Sequence, residues 1–328
     1  MQMNLVELRN VSKYYRVKES AFDKTKLLKA VDDISLIIKE KETVGLVGES
    51  GCGKSTLGKL IVKLEKPSEG EIILNNTNLW ISKTKDLKKL NGFYQMIFQD
   101  PYNSLNPQKR VYDILEEILR LFTSETIEKR QNKILKILDL VGLKEEHLFR
   151  YPRQFSGGQR QRIGIARALA VNPRIIVADE PVSSLDVSIQ AQIINLFAEI
   201  QDQTGVSFLF ISHDLAVIES ICDRIMVMYL GRIVESGRAE DVIGHPCHPY
   251  TKALIEAIPV PDLNKKIKVT RMQKISSPVN LPKGCRFNDR CLIVIDKCFN
   301  EEPELELLSD RNEHYCACFL KDINKGNK

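Results

Sequence analysis

An α/β fold built on a parallel sheet, with ligand at its C-terminal strand edges, is predicted by three observations. Gly48-Glu49-Ser50-Gly51-Cys52-Gly53-Lys54-Ser55-Thr56 stands between a strand-like run, Thr43 to Val47, and a helical pattern opening near Thr56. Arg174-Ile175-Ile176-Val177-Ala178-Asp179-Glu180 is a short apolar run ending in two carboxylates. From Ile175 onward strand and helix alternate: Ile175 to Ala178, Ile189 to Gln201, Ser207 to Ile211, Leu215 to Cys222. That alternation implies parallel strands covered by helices.

The remaining elements follow in chain order. Leu5 to Leu8 and Ile34 to Ile38 read as strands of an N-terminal antiparallel layer, joined by a lysine-rich segment, Lys18 to Lys29, expected to be an exposed loop. The helix from Thr56 to Leu64 stops at Lys66-Pro67, and Glu71 to Leu74 reads as a short strand. Between Pro101 and Pro152 the apolar spacing is helical, as in Ile114, Leu115, Ile118, Leu119 and in Ile134, Leu135, Ile137, Leu138, which predicts a helical subdomain over about 101–165. Ile225 to Tyr229 and Ile233 to Ser236 form a hairpin around Leu230-Gly231-Arg232. Near Gly244 the character changes. One short helical piece, Thr251 to Ala257, is followed by Pro259 and Pro261, so a first domain is placed at 1–244 and an extension at 245–328.

The chemistry of these motifs is that of phosphate binding. A glycine-rich loop between a strand and a helix is a P-loop: its backbone N–H groups turn inward around a triphosphate, Lys54 reaches the β- and γ-phosphates, and the Ser55 hydroxyl ligates Mg²⁺. The ligand is ATP or GTP. Asp179 suits a Mg²⁺ partner, and Glu180 is placed to polarise the water that attacks the γ-phosphate. Phe155-Ser156-Gly157-Gly158-Gln159 opens a helix-like segment, Arg160 to Ala170. It is either a further phosphate-binding helix start or a plain N-cap.

In this order, the P-loop, Ser156-Gly157-Gly158-Gln159 and the Asp179-Glu180 strand resemble the nucleotide-binding subunit of ABC transporters. The resemblance implies a RecA-like P-loop NTPase core with an N-terminal antiparallel β layer and an inserted helical subdomain. It assigns Gly48, Ser50, Gly51, Gly53, Lys54, Ser55 and Thr56 to the ATP phosphates, and Gln99 to Mg²⁺ and the attacking water. His213 matches the switch histidine at the γ-phosphate. Ser183-Ser184-Leu185-Asp186 matches the loop that crosses between two subunits, with Ser184 where the family usually has Ala. Tyr15 matches the aromatic that stacks on adenine, and neighbouring Tyr14 is its rival. Ser156, Gly157, Gly158 and Gln159 would face ATP bound to a partner chain.

Composition limits the alternatives. The balance of 48 basic against 43 acidic residues, net +5 with no long block of either sign, does not indicate nucleic-acid binding. The longest apolar run, Ile225 to Leu230, is far short of the ~18 residues that span a bilayer. No secretory h-region appears in Met1 to Asn10, so a cytoplasmic protein is expected, held at the membrane through partners.

Of eight cysteines, Cys52, Cys222 and Cys247 are scattered, and Cys52 and Cys222 read as small packing residues. Cys285, Cys291, Cys298, Cys316 and Cys318 crowd into the last 44 residues. Reduced thiols in a small, poorly apolar tail suggest a metal site that substitutes for a core. The spacing Cys285-x5-Cys291-x6-Cys298-x19-Cys318 is too wide for a zinc ribbon, whereas an iron–sulfur cluster tolerates wider loops; free buried thiols are the third option. His248-Pro249-Tyr250-Thr251, Gly284-Cys285-Arg286-Phe287 and His314-Tyr315-Cys316-Ala317-Cys318 resemble the C-terminal extension of the oligopeptide and dipeptide importer ATPases. That resemblance implies a 4Fe-4S cluster on Cys285, Cys291, Cys298 and Cys318, with zinc as runner-up and Cys316 as rival fourth ligand. The tail, far in sequence from the phosphate motifs, is expected to stand apart from hydrolysis.

Asp100-Pro101-Tyr102-Asn103-Ser104-Leu105-Asn106-Pro107 and Glu180-Pro181-Val182-Ser183 resemble the F-type subunit of such importers. The implied partners are a companion ABC ATPase, two membrane permeases and an extracellular solute-binding protein. The expectation is ATP-driven import of peptides. Nickel and glutathione importers use similar subunits. Soluble ABC ATPases of translation or DNA repair are the rivals from another class, but only one Ser-Gly-Gly-Gln occurs and no long coiled-coil insertion separates Lys54 from Asp179.

Overall fold

The computed structural model describes residues 3–18, 25–257, 279, 281–308 and 313–320. Strands β1 (Asn4–Val17) and β2 (Lys26–Lys39) pair antiparallel, with Val6 opposite Ile38 and Leu8 opposite Leu36. Both outrun the segments read from sequence, because Ser12 to Arg16 carry no apolar alternation to reveal a strand. The expected loop loses Lys26 to Lys29 to β2; residues 19–24 lie outside the described residues. Ile34, Leu36 and Ile38 are buried while Ser35 and Ile37 are exposed, the period-two pattern of a sheet with one face on the core.

Strand β3 (Thr43–Val47) is buried throughout, as a central parallel strand must be. It feeds α1 (Lys54–Ile61). Strands β4 (Glu69–Leu74) and β5 (Thr77–Asn78) complete a four-stranded sheet in the order β2-β1-β4-β5. After α2 (Thr84–Lys88), strand β6 (Tyr94–Ile97) returns to the central sheet, a strand that the sequence reading missed. The helical block holds α3 (Pro101–Ser104), α4 (Val111–Phe122), α5 (Ile127–Leu140) and α6 (Gly157–Leu169). Ile114, Leu115 and Leu119 of α4 are buried in one core with Ile134, Ile137 and Leu138 of α5, as the spacing predicts.

The rest is β7 (Ile175–Asp179), α7 (Val187–Thr204), β8 (Ser207–Ser212), α8 (Leu215–Ile221), β9 (Arg224–Tyr229) and β10 (Arg232–Arg238). Beyond them lie α9 (Ala239–Gly244), α10 (Pro249–Glu256), α11 (Lys297–Asn300), β11 (Glu306–Leu307) and β12 (Tyr315–Cys316). The central sheet runs β11-β12-β10-β9-β3-β8-β7-β6, with β9, β3, β8, β7 and β6 parallel. Among the described residues no helix is long and apolar enough to cross a membrane.

The C-terminal extension does not stand apart. Strand β12 pairs with β10, Cys316 opposite Glu235. Glu235 is fully buried, and its carboxylate accepts from the backbone N–H of Cys247 (2.7 Å) and His248 (2.8 Å) and lies 2.8 Å from His314 Nε2. Arg286, also buried, donates to Asp32 and the Leu230 carbonyl, and to Glu302 at 2.7 Å. Burial pushes the Asp32 carboxyl up, but Arg286 and Lys29 outweigh it and hold the group below its usual value. The tail, far in sequence from the phosphate motifs, meets them in space: Arg290 forms a two-pronged ion pair with Glu49 inside the P-loop. Sequence distance hid this because the contact spans 241 positions.

Candidate functional site

Four loops leave the C-terminal ends of neighbouring parallel strands. The P-loop follows β3, Gln99 follows β6, Glu180 follows β7 and His213 follows β8. A cleft of about 500 Å³ lies there, lined by Tyr15, Leu28, Ala30, Ser50, Gly51, Gly53, Lys54, Ser55, Thr56, Gln99, Glu180 and His213. This is where open parallel sheets bind ligands.

The P-loop conformation depends on its glycines, as Gly53 and Gly51 show. Gly53 has φ +112°, and a Cβ there would meet the Ala30 carbonyl oxygen at 1.9 Å. Gly51, at φ +79°, has open space where a Cβ would be, on a loop that must let a ligand approach its backbone. Lys54 is 4 % exposed, and its Nζ donates to the carbonyls of Gly48 (2.7 Å) and Glu49 (3.0 Å). Gly48 therefore sits behind the cleft, orienting Lys54. Beneath the loop, Ser55 Oγ lies 2.9 Å from Asp179 Oδ1. Burial raises the Asp179 pKa more than the Ser55 hydrogen bond and nearby lysines lower it. A buried carboxylate with a hydroxyl beside it is a donor set of hard oxygens, and it fits a divalent cation such as Mg²⁺, whose charge would relieve the cost of burial.

Glu180 caps β7 with φ +46°, a left-handed conformation uncommon for a residue with a side chain. Strain of this kind collects at functional sites, and here the Glu180 N–H bond to the Ile211 carbonyl (2.9 Å) helps hold it. The conformation sends the carboxylate into the cleft, where Gln99 Nε2 donates to Oε2 at 3.0 Å and His213 Nδ1 lies 3.4 Å from Oε1. Gln99, Glu180 and His213, distant in sequence, are therefore one cluster.

The two tyrosines separate. Tyr15 lines the cleft, with its hydroxyl on Glu65 and Lys13 Nζ 5.2 Å from its ring centre; burial and Glu65 push its pKa up to about 12. Tyr14 does not line the cleft and instead donates to Asp32 at 3.1 Å. Ser156, Gly157, Gly158 and Gln159 are also absent from the lining. Ser156 caps α6: its Oγ accepts from Gln159 N–H (3.4 Å), while Gln159 Oε1 accepts from Ser156 N–H (3.1 Å). Asp186 occupies the N-cap position of α7 with an exposed side chain that makes no cap bond. Within one chain these five residues do not join the cleft.

In the extension, Cys285, Cys291, Cys298 and Cys318 line one small apolar cavity with His248, Pro249, Phe287 and Ile293. Burial pushes the Cys285 thiol up to about 12 and the Cys318 thiol up to about 11, and raises that of Cys291. Cys316 lies elsewhere, on β12, hydrogen-bonded to Cys247 and fully buried. Among the described residues no group of three or more His, Cys, Asp or Glu is arranged to hold a single metal ion. The cavity does bring four thiols together, which is the number and kind of donor that an iron–sulfur cluster takes. Cys52 and Cys222 are buried, as packing residues should be.

Sequence reading missed Glu49, Tyr250, Arg290, Glu235 and Arg286 as structural anchors of this region. Arg290 beside Cys291 and Tyr250 in the His-Pro-Tyr-Thr segment were visible signals, but their partners were not.

Known proteins agree with this geometry. Residues 31–183 match the family described as ABC transporter, and residues 234–298 match the oligopeptide/dipeptide transporter C-terminal region. The chain is 47 % identical to the dipeptide transport ATP-binding protein DppF of Haemophilus influenzae, over 95 % of each chain. It is 44 % identical to the oligopeptide transport ATP-binding protein AppF of Bacillus subtilis, over 97 % of this chain and 98 % of that one. The ATP-binding cassette MJ0796, solved as a dimer in a post-hydrolysis state with ADP and phosphate, superimposes with a TM-score of 0.63 at 32 % identity, covering 71 % of this chain and 98 % of that one. The chain belongs to the ATP-binding subunits of the dipeptide and oligopeptide branch of ABC transporters, and is an ATPase of that type.

Proposed function

We propose that this subunit hydrolyses ATP to drive import of dipeptides or oligopeptides, at the cytoplasmic face of a membrane to which permease subunits tether it. The observation that carries the hydrolytic reading is the Gln99, Glu180 and His213 cluster opposite Lys54. The Glu180 carboxylate takes one proton of the attacking water as its oxygen adds to the γ-phosphorus and the β–γ bridging bond breaks, releasing ADP. His213 and Lys54 meet charge developing on the γ-phosphoryl oxygens, and Gln99 orients the water. Ser55, Asp179 and Gln99 would hold Mg²⁺, which would supply positive charge against that of the triphosphate. Tyr15 stacks on the adenine.

Because Ser156 to Gln159 and Asp186 stay outside the cleft of their own chain, they serve ATP on another subunit. That subunit is a companion ATPase of different sequence, and the assembly includes two permeases and an extracellular solute-binding protein. Residues 1–244 form the cassette and 245–328 the extension. The test is ATPase turnover of the purified subunit alone and with companion and permeases. Stimulation upon assembly is expected, and full activity as a monomer indifferent to permeases would overturn the reading.

Cys285, Cys291, Cys298 and Cys318 are the ligands of a 4Fe-4S cluster, supported by their common cavity and by the separate placement of Cys316. Burial raises the pKa of Cys285, Cys291 and Cys318, and an added cation would favour their thiolates. Anaerobically purified protein should be brown, with about four irons per chain. Stoichiometric zinc would overturn the cluster.

A further inference from the structure

Glu49 is the acidic residue of the P-loop, and a carboxylate there opposes the triphosphate that the loop must receive. Its charge is met from the extension. Arg290 Nη2 lies 2.7 Å from Glu49 Oε1 and Nη1 lies 2.9 Å from Oε2, a two-pronged pair in which the arginine side chain is 4 % exposed and the glutamate 20 %. Phe287 and Tyr229 flank the guanidinium, with ring centres 5.4 and 5.6 Å away. The backbone is held too: Glu49 N–H donates to the Tyr250 hydroxyl at 2.8 Å, and Tyr250 is 1 % exposed. The same peptide unit turns the Gly48 carbonyl toward Lys54 Nζ at 2.7 Å, and the Glu49 carbonyl of the next unit accepts from the same Nζ at 3.0 Å. So a residue that orients the phosphate-binding lysine is fixed, in charge and in direction, by two side chains from beyond Gly244.

We propose that Arg290 and Tyr250 are positioning residues of the nucleotide site, through which the C-terminal extension sets the affinity of the P-loop for nucleoside triphosphates. Arg290 cancels the Glu49 charge; Tyr250 aligns the Glu49 peptide so that Lys54 is presented correctly. This rests on the ATP-binding reading and needs no metal in the extension. Without Arg290, an unpaired, partly buried carboxylate is left on the loop that receives the phosphates, and part of its repulsion is open to screening by salt. Without the Tyr250 hydroxyl, the loss is one of alignment and is insensitive to salt.

The test is titration of the purified full-length chain with a fluorescent N-methylanthraniloyl ATP and Mg²⁺ at low and high salt. Arg290→Gln should raise Kd about tenfold at ~0.05 M salt and about threefold at ~0.5 M, where the Debye length is shorter. Arg290→Lys, which keeps the charge without the fork, should fall between wild type and Arg290→Gln. Glu49→Gln should tighten binding about twofold, and adding Arg290→Gln to it should change Kd by less than about twofold, since the charge to be cancelled is gone. Tyr250→Phe should weaken binding about threefold at both salts. An Arg290→Gln effect that is as large with Gln at position 49, or that is the same at both salts, would overturn the proposal and leave Arg290 a packing residue. If Arg290→Gln does not fold, Glu49→Gln and Arg290→Lys decide: no tightening in the first together with no weakening in the second would overturn the proposal. Failure of the wild-type chain to bind the analogue would instead sink the ATP-binding reading.

Discussion

The nucleotide cleft and the C-terminal extension are built by different means. Each cleft loop ends one strand of a regular parallel sheet, and the strands beneath are largely apolar, as in Val44 to Val47 of β3 and Ile175 to Ala178 of β7. The extension buries Arg286, Asn288, His248, Thr251 and His314, with Phe287 and Tyr250 as its large buried apolar side chains. Its attachment is therefore polar and paired. A core of close-packed aliphatics loses stability in proportion to the atoms removed, whereas a buried pair fails abruptly when one member goes. The cleft should be fragile in rate and the extension in stability.

The largest effect expected lies in the cleft. Glu180→Gln keeps the shape and the Gln99 contact but removes the base. Turnover in the assembled transporter should fall about 10²- to 10⁴-fold while MgATP still binds. Turnover near the wild-type rate would remove Glu180 from its role and blur the contrast, since the cleft would then tolerate loss of its central group.

In the extension the matching change is Arg286→Met. It leaves Asp32, 3 % exposed, without its main partner, and should lower unfolding free energy by about 3–5 kcal/mol in urea titrations. Adding Asp32→Asn should return a large part of that loss, because what destabilises is the orphaned charge. If the single variant loses less than about 1 kcal/mol, the extension is held by its apolar contacts and not by its pairs.

This contrast also explains what sequence could reveal. The P-loop, Asp179-Glu180 and the Ser156 to Gln159 cap are contiguous, so their chemistry is written locally, and β7 and β8 announce themselves as unbroken apolar runs. Strand β6 escaped because Tyr94 and Gln95 interrupt the apolar pattern. Strand β1 escaped past Leu8 because its outer half is polar and pairs along an edge of the layer. The extension was legible as a cysteine pattern and illegible as an attachment. Nothing in a linear reading ties Arg286 to Asp32 across 254 positions or Arg290 to Glu49 across 241. Charged residues in a tail ordinarily read as solvated, and the partners that bury them belong to other elements.

His248 gives a smaller, pH-dependent test of the polar extension. It is fully enclosed, its Nδ1 accepts the Tyr250 N–H at 3.0 Å to cap α10, and burial lowers its pKa to about 4, with nearby Glu235 opposing. The unfolded chain takes up this proton near pH 6.5, the folded chain only near 4. His248 thus contributes stability in full above about pH 6.5, and that contribution is lost as pH falls through the folded value, a total of about 3 kcal/mol. His248→Asn, which can still cap, should flatten the unfolding free energy between pH 4 and 6.5 relative to wild type. An unchanged slope would mean that the imidazole is not the group being titrated.

The finest division runs between adjacent residues. Successive side chains of a strand face opposite sides, so β1 delivers Tyr15 to the cleft and Tyr14 to Asp32, the carboxylate that Arg286 clamps. The two regions thus meet at one peptide bond. Tyr15→Leu should weaken ATP binding about fivefold, near the low end of what stacking on a base contributes, with little change in unfolding free energy. Tyr14→Phe should do the reverse, costing about 1 kcal/mol through the lost hydroxyl bond to Asp32 and leaving the ATP affinity within twofold. Paired nucleotide titration and urea unfolding on the two variants read both effects. Weaker ATP binding in Tyr14→Phe than in Tyr15→Leu would exchange the assignments and show that the boundary between cleft and extension is not drawn by the alternation of β1.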